Sequence, residues 1–206
     1  MFTPLTRRDF FVQGALYGGS LWLFSQLPRP RAVQAAQLSS QPQTLTPNEW
    51  KQLEAMAARI LPTDHEPGAR EAGCVNFIDK ALAHEDAALL PTYRKGLGGV
   101  EAVALKRFEK PFSALTPDQH DSVLVSLEAG NASGWPAEAG DARAFFETVR
   151  VHTIIGFLAD PKYGGNRDYA GWKLVGYPGP QHHRGGYSPA QMVGKEKIRT
   201  AWGEEI

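Results

Sequence analysis

The chain has 206 residues with 22 basic and 22 acidic side chains, a formal net charge of zero. That balance lacks the basic footprint of a nucleic-acid-binding protein, and the length suffices for one domain with a sizeable core. A single cysteine, Cys74, excludes a disulfide within the chain, a Cys-x-x-Cys-His haem attachment and a four-cysteine iron–sulfur site.

Arg7-Arg8, preceded by Thr6 and followed one residue on by Phe10-Phe11, has the form of a twin-arginine export signal. The 18 residues from Phe10 to Leu27 carry no charge, a length at the lower limit for a membrane span. Gln13, Gly14, Gly18, Gly19 and Ser20 dilute that stretch, which suits a removable signal better than a permanent anchor. Val33-Gln34-Ala35 offers the small residues of a cleavage site, so residues 1–35 read as a cleavable signal peptide. Its removal takes away Arg7, Arg8, Arg29 and Arg31 against Asp9, leaving 18 basic and 21 acidic side chains, a net of −3. In an oxidising compartment a lone thiol is either buried or paired with another chain. Burial is the expectation for Cys74, because unpaired cysteine is among the most buried residue types.

Residues 36–44 form a polar linker, and one helix-start pattern then recurs. Thr46-Pro47-Asn48-Glu49, Thr116-Pro117-Asp118-Gln119 and Ser188-Pro189-Ala190-Gln191 are capping boxes with proline in the first turn. The hydroxyl accepts from a backbone N–H that the first turn leaves unpaired, and the Glu or Gln reaches back to the cap. Their irregular spacing marks three helix starts and no tandem repeat. After the first box, Trp50, Leu53, Met56 or Ala57, and Ile60 share a helical face that Pro62 ends. Further helices are expected near Val75–Ala83, over Leu89–Phe108 (loosened around Gly96, Gly98 and Gly99), after the second box through Val123, Leu124 and Leu127, and over Ala142–Leu158, which Asp160-Pro161 stops.

No alternating β-branched run appears, so the fold class is mainly α: a single compact helical domain over 45–180, with a long irregular C-terminal segment rich in aromatics, Gly and Pro. Residues 181–206 read as a C-terminal tail. The segment Asp160–Tyr187 holds four of the six tyrosines, Tyr163, Tyr169, Tyr177 and Tyr187, together with Trp172. A disordered segment is poor in aromatics, so this one is expected to pack on its own helices or on a partner, and Tyr, Trp and Arg are enriched at interfaces.

A twin-arginine leader often accompanies a protein that folds around a cofactor before export, yet the usual cofactor motifs are missing. Gly-x-Gly-x-x-Gly, a phosphate-binding loop, His-Glu-x-x-His and Gly-x-Ser-x-Gly do not occur. Asp64-His65-Glu66 and His84-Glu85-Asp86 are consecutive and read as solvated polar turns, since neighbours in sequence rarely converge on one ion. His182-His183 reads as surface. His152, inside the strongest helix beside Arg150, is a candidate general base, but no nucleophile or carboxylate is visibly paired with it, and a helix histidine making a structural hydrogen bond is the favoured reading. An export signal on a chain without a cofactor motif suggests an escort for a cofactor-bearing partner.

The run Arg150-Val151-His152-Thr153-Ile154-Ile155-Gly156-Phe157-Leu158-Ala159-Asp160-Pro161-Lys162-Tyr163-Gly164-Gly165-Asn166-Arg167-Asp168, followed by Gly171-Trp172-Lys173 and Gly176-Tyr177-Pro178-Gly179, resembles the signature of the gluconate 2-dehydrogenase subunit 3 family. Ile60-Leu61-Pro62 with Asp64, and Gly68-Ala69-Arg70-Glu71-Ala72-Gly73, fit its N-terminal half. The resemblance spans roughly residues 45–180. It implies a non-catalytic small (gamma) subunit of a periplasmic, inner-membrane-associated sugar or sugar-acid dehydrogenase, holding no cofactor or metal of its own. In such complexes a large flavoprotein subunit of the glucose–methanol–choline type holds FAD and performs the oxidation. A multihaem cytochrome subunit carrying haem c often completes the complex.

The small subunit would supply the export signal, here Arg7, Arg8 and Phe10, and help the flavoprotein mature and travel. The expected docking surface is Asp160–Gly179, with His152, Asp160, Tyr163, Gly164, Gly165, Asn166, Asp168, Trp172 and Tyr177 as its residues. Some family members link small and large subunits through a cysteine, which makes Cys74 the candidate for an interchain disulfide. Two alternatives stay open: an independent exported enzyme using His152, and an interaction module anchored by an uncleaved leader.

Overall fold

A computed structural model describes residues 42–182 and 185–206. Arg7, Arg8, Phe10 and the cleavage site lie outside the described residues, as does His183. The described chain falls into two compact units that divide between Ala170 and Gly171. Among the described residues no helix is long and apolar enough to cross a membrane.

The first unit is built on α1 (Pro47–Ile60), α2 (Cys74–Ala83), α3 (Leu90–Phe108), α4 (Pro117–Glu128) and α5 (Ala142–Leu158). The first two capping boxes form as the sequence predicts. Glu49 accepts from the Thr46 N–H at 2.7 Å and Thr46 Oγ1 accepts from the Glu49 N–H at 3.3 Å. Thr116 and Gln119 repeat the arrangement at 3.0 and 3.4 Å. Helix α5 starts on the Asp141 side chain, which accepts from the Ala144 N–H at 2.7 Å, and ends where Ala159 turns to extended backbone ahead of Asp160-Pro161.

Helix α5 is the centre of this unit and packs against α1, α2, α3 and α4. Its Phe145, Phe146, Val149 and Phe157 are buried, and they meet Leu53 and Met56 of α1, Ile78 and Leu82 of α2, Leu97 and Val100 of α3, and Val123 and Leu127 of α4 in one core. Helix α3 corrects one expectation: it is continuous through Gly96, Gly98 and Gly99. The reason is tertiary. A Cβ on Gly96 would overlap the Phe145 ring, and one on Gly99 would lie 2.7 Å from the Trp135 ring. These glycines let aromatic rings rest on the helix backbone, and the burial of those rings offsets the roughly 1 kcal/mol that each glycine costs a helix.

Two buried polar groups tie distant segments together. The Asp79 carboxylate, 1 % exposed, accepts backbone N–H bonds from Gln43, Thr44 and Leu45 at 2.6, 3.0 and 2.8 Å, which fixes the chain's entry into α1 against α2. Gln52 of α1 donates to Leu97 O and to Glu101 on α3, and Glu101 also accepts from the Phe112 N–H.

The second unit, from Gly171, contains most of α6 (Ala170–Val175) and α7 (Pro189–Met192). The third capping box forms here too, but its helix runs only four residues, because none of them buries a side chain. Residues 181–206 prove to be folded together with the aromatic segment. Trp172 meets Tyr177 edge to face at 5.1 Å, Ala201 donates to Pro178 O at 2.7 Å, and Gln181 donates to Arg199 O at 3.2 Å. Ile198 and Ile206 exchange two backbone hydrogen bonds beside the antiparallel bridge Arg199–Glu205, with no strand among the described residues.

Candidate functional site

The residues expected to form a docking surface divide sharply by burial. Gly164, Gly165 and Asn166 are buried inside the first unit. A Cβ on Gly165 would run into the backbone of Gly156 on α5, and one on Gly164 would lie 2.7 Å from Asn76 Nδ2 on α2. Asn76, 5 % exposed, donates to Gly164 O at 2.6 Å, and Asn166 donates to Ala159 O at 2.8 Å. These three residues therefore weld the loop after α5 onto α2 and α5, and the exposed residues of the same segment include Lys162, Arg167, Asp168 and, in the second unit, Tyr177.

His152 is also turned inward. Its side chain is 12 % exposed, its Nδ1 shares a 2.8 Å hydrogen bond with the hydroxyl of fully buried Tyr93, and its Nε2 faces Asp86 at 3.8 Å. With the ring proton on Nε2 the phenol donates. The His152 and Tyr93 rings stack at 5.8 Å with an 11° tilt. Burial pushes the imidazole below its ordinary pKa, and the Asp86 charge partly opposes that; burial also pushes the Tyr93 phenol up. The hydrogen bond and ring contact make the His152–Tyr93 pair a strut between α3 and α5.

Cys74, at the start of α2, is fully buried, and burial pushes its thiol pKa up to about 12. That is the inert thiol expected from burial, and in this fold it does not reach the surface where an interchain disulfide would form. Asp160 caps the turn Pro161–Tyr163 by accepting from the Lys162 N–H at 3.1 Å and pairs with Lys162 at 3.2 Å, while Lys162 lies over the Tyr163 ring. Asp168 is exposed. Trp172 is buried and Tyr177 39 % exposed, both in the second unit. Asp64-His65-Glu66 forms a polar turn in which Asp64 accepts from the Glu66 N–H at 2.9 Å.

The loop after α5 does shape one surface feature that the sequence alone does not reveal. A cleft of about 300 Å³ opens between α1, the start of α2 and this loop. Small residues Ala57, Ala69 and Gly73 leave the space, and Trp50, Glu54, Arg70 and Arg167 edge it. Arg167 is held by its backbone N–H, which donates to Ala72 O at 2.9 Å, and its guanidinium lies across Gly73, where a Cβ would be 3.3 Å away. Gly73 has φ +71, a left-handed conformation that favours glycine. Arg70 pairs with Glu54 at 3.6 Å, whereas Arg167 has no carboxylate partner among the described residues. Both arginines lie in runs that resemble the family signature, but nothing local shows that they meet, because the residues they face across the cleft are distant along the chain.

Residues 47–179 match the family described as gluconate 2-dehydrogenase subunit 3, a span that takes in all five long helices and the aromatic segment as far as Gly179. No curated protein and no solved structure matches the chain at a significant level. The match covers more than half of the sequence and includes the welded loop, α5 and the cleft, and the chain belongs to the gluconate 2-dehydrogenase subunit 3 family.

Proposed function

We infer that the chain is the small, non-catalytic subunit of a periplasmic FAD-dependent sugar or sugar-acid dehydrogenase held at the inner membrane. It supplies the twin-arginine signal for the complex and assists the flavoprotein subunit in maturing and crossing the membrane. The observation that carries this reading is the family match over 47–179, whose description makes the chain one subunit of a larger dehydrogenase. Arg7-Arg8 with Phe10 adds the export route. The locked His152–Tyr93 pair favours a structural role over a catalytic one for this candidate base. FAD then belongs to a large glucose–methanol–choline type partner, and haem c to a cytochrome subunit where one is present.

Expressing the flavoprotein subunit with and without this chain tests the reading. Flavin loading and the periplasmic fraction of the flavoprotein should both fall without it; equal values in the two cases refute the escort role. Replacing Arg7 and Arg8 with lysine should leave both proteins in the cytoplasm.

A further inference from the structure

We propose that the cleft edged by Trp50, Arg70 and Arg167 is where this subunit grips its flavoprotein partner, by taking an acidic side chain from that partner's surface. The proposal rests on the small-subunit reading above and adds the place and chemistry of the contact.

The charge arrangement comes first. Of the charged groups at the cleft, Glu54 is matched by Arg70 at 3.6 Å, so Arg167 leaves one positive charge over. The first turn of α2 opens on the same space and brings no acidic side chain to it. A carboxylate set between the two guanidinia completes the pairing, and Trp50 beside it supplies an aromatic wall. Trp and Arg are the residue types that most often dominate binding energy at protein interfaces.

The backbone is organised to present Arg167. Asn166, Asp168 and Tyr169 have φ of 47°, 56° and 59°, all left-handed and none a glycine. Asn and Asp accept that region with little penalty, but Tyr does not. Strain of this kind persists only where the surrounding structure enforces it. Here the enforcing contacts are Asn76 to Gly164 O, Asn166 to Ala159 O and Arg167 N–H to Ala72 O. The buried half of the signature therefore acts as a frame that holds a single exposed arginine over Gly73.

The dimensions favour a protein side chain over a free acid. A cleft of about 300 Å³ is at the lower limit for small-ligand sites, which are usually lined by apolar groups. The Arg70 side chain is 58 % exposed and that of Glu54 35 %, so a small carboxylate bound there would keep much of its water and gain little. A partner surface laid over the cleft excludes that water and strengthens the same ion pairs.

The test uses the full chain and the flavoprotein subunit of its complex, with the dissociation constant measured at low and high salt. Arg167→Glu should weaken assembly at least about tenfold, and Arg167→Ala by less, both with unchanged melting temperature because no internal ion pair is lost. Glu54→Gln removes the competing carboxylate and should tighten assembly by roughly twofold to fivefold. Lys95→Glu, an exposed change of equal charge on α3, should leave assembly within about twofold of wild type. Wild-type affinity in both Arg167 variants, or weakening by Glu54→Gln, overturns the proposal while leaving the small-subunit reading intact. Absence of any complex with the wild-type chain overturns both. Arg167-dependent binding of free gluconate with assembly unaffected also overturns it and assigns the cleft to a small acid.

Discussion

Gly165 gives the sharpest test of the claim that the signature loop is internal scaffolding. In Gly165→Ala the new methyl would lie 2.8 Å from the Gly156 carbonyl carbon and 3.1 Å from its Cα, and nearer still to the carbonyl oxygen. Every obstacle is helix backbone, so no side-chain rotation relieves the overlap. Gly165 is outside the left-handed region, so the cost is steric and owes nothing to a forbidden φ. Overpacking a filled site costs about 1–3 kcal/mol when side chains can adjust, and an immovable neighbour places this change at the upper end, about 3 kcal/mol. For a domain of this size that corresponds to a fall in Tm of about 6–12 °C. Gly98→Ala is the matched control, because its Cβ meets nothing within 4 Å and it sits in the middle of α3. It should stabilise by about 0.5–1 kcal/mol through helix propensity alone. Thermal unfolding followed by circular dichroism reads both. A Gly165→Ala protein that melts with the wild type would refute the close packing of the loop on α5 and return Gly164-Gly165-Asn166 to the surface.

Asp79→Ala strips three backbone N–H groups of their acceptor, one of them fully buried, and should cost about 3 kcal/mol in urea unfolding; a loss under about 0.5 kcal/mol would mean water replaces the carboxylate. His152 has a folded pKa below its unfolded one, so the unfolded chain binds the extra proton first and stability falls as pH drops through the ordinary histidine value of about 6.5. His152→Gln should remove that part of the pH dependence while leaving any carboxylate-driven acid unfolding in place, and an unchanged profile contradicts the assignment. Cys74 should react with a thiol reagent only at the rate of unfolding; rapid labelling of the folded chain would show that the thiol is accessible after all.

Much of the helical framework was legible because its signals are local. The Thr46 and Thr116 boxes each depend on residues within one turn, and they form as their sequence predicts. The same logic overreached at Ser188, where the cap forms but no apolar face follows to extend the helix. Gly96 and Gly99 were read as loosening α3 because propensity carries no knowledge of the Phe145 and Trp135 rings that require them. The aromatic segment is expected to pack on its own helices or on a partner; its first part lies on α2 and α5, and from Gly171 it packs with the C-terminal residues, through Pro178 with Ala201 and Gln181 with Arg199. Pairing at that separation leaves no periodic trace.

The candidate site is harder to read from sequence for a related reason. A loop rich in Gly, Asn and aromatics looks like a contact surface when only composition is visible, yet glycine is equally what a loop needs to lie against a helix. Asn76 and Gly156, both far from the loop in function though one is distant and the other near in sequence, decide between these readings, because they are the atoms against which Gly164 and Gly165 close. A signature buried in this way identifies the fold and does not identify what the fold binds. Recognition must then rest on exposed residues that the buried frame positions, and Arg167, set between left-handed neighbours over Gly73, is the residue that frame presents.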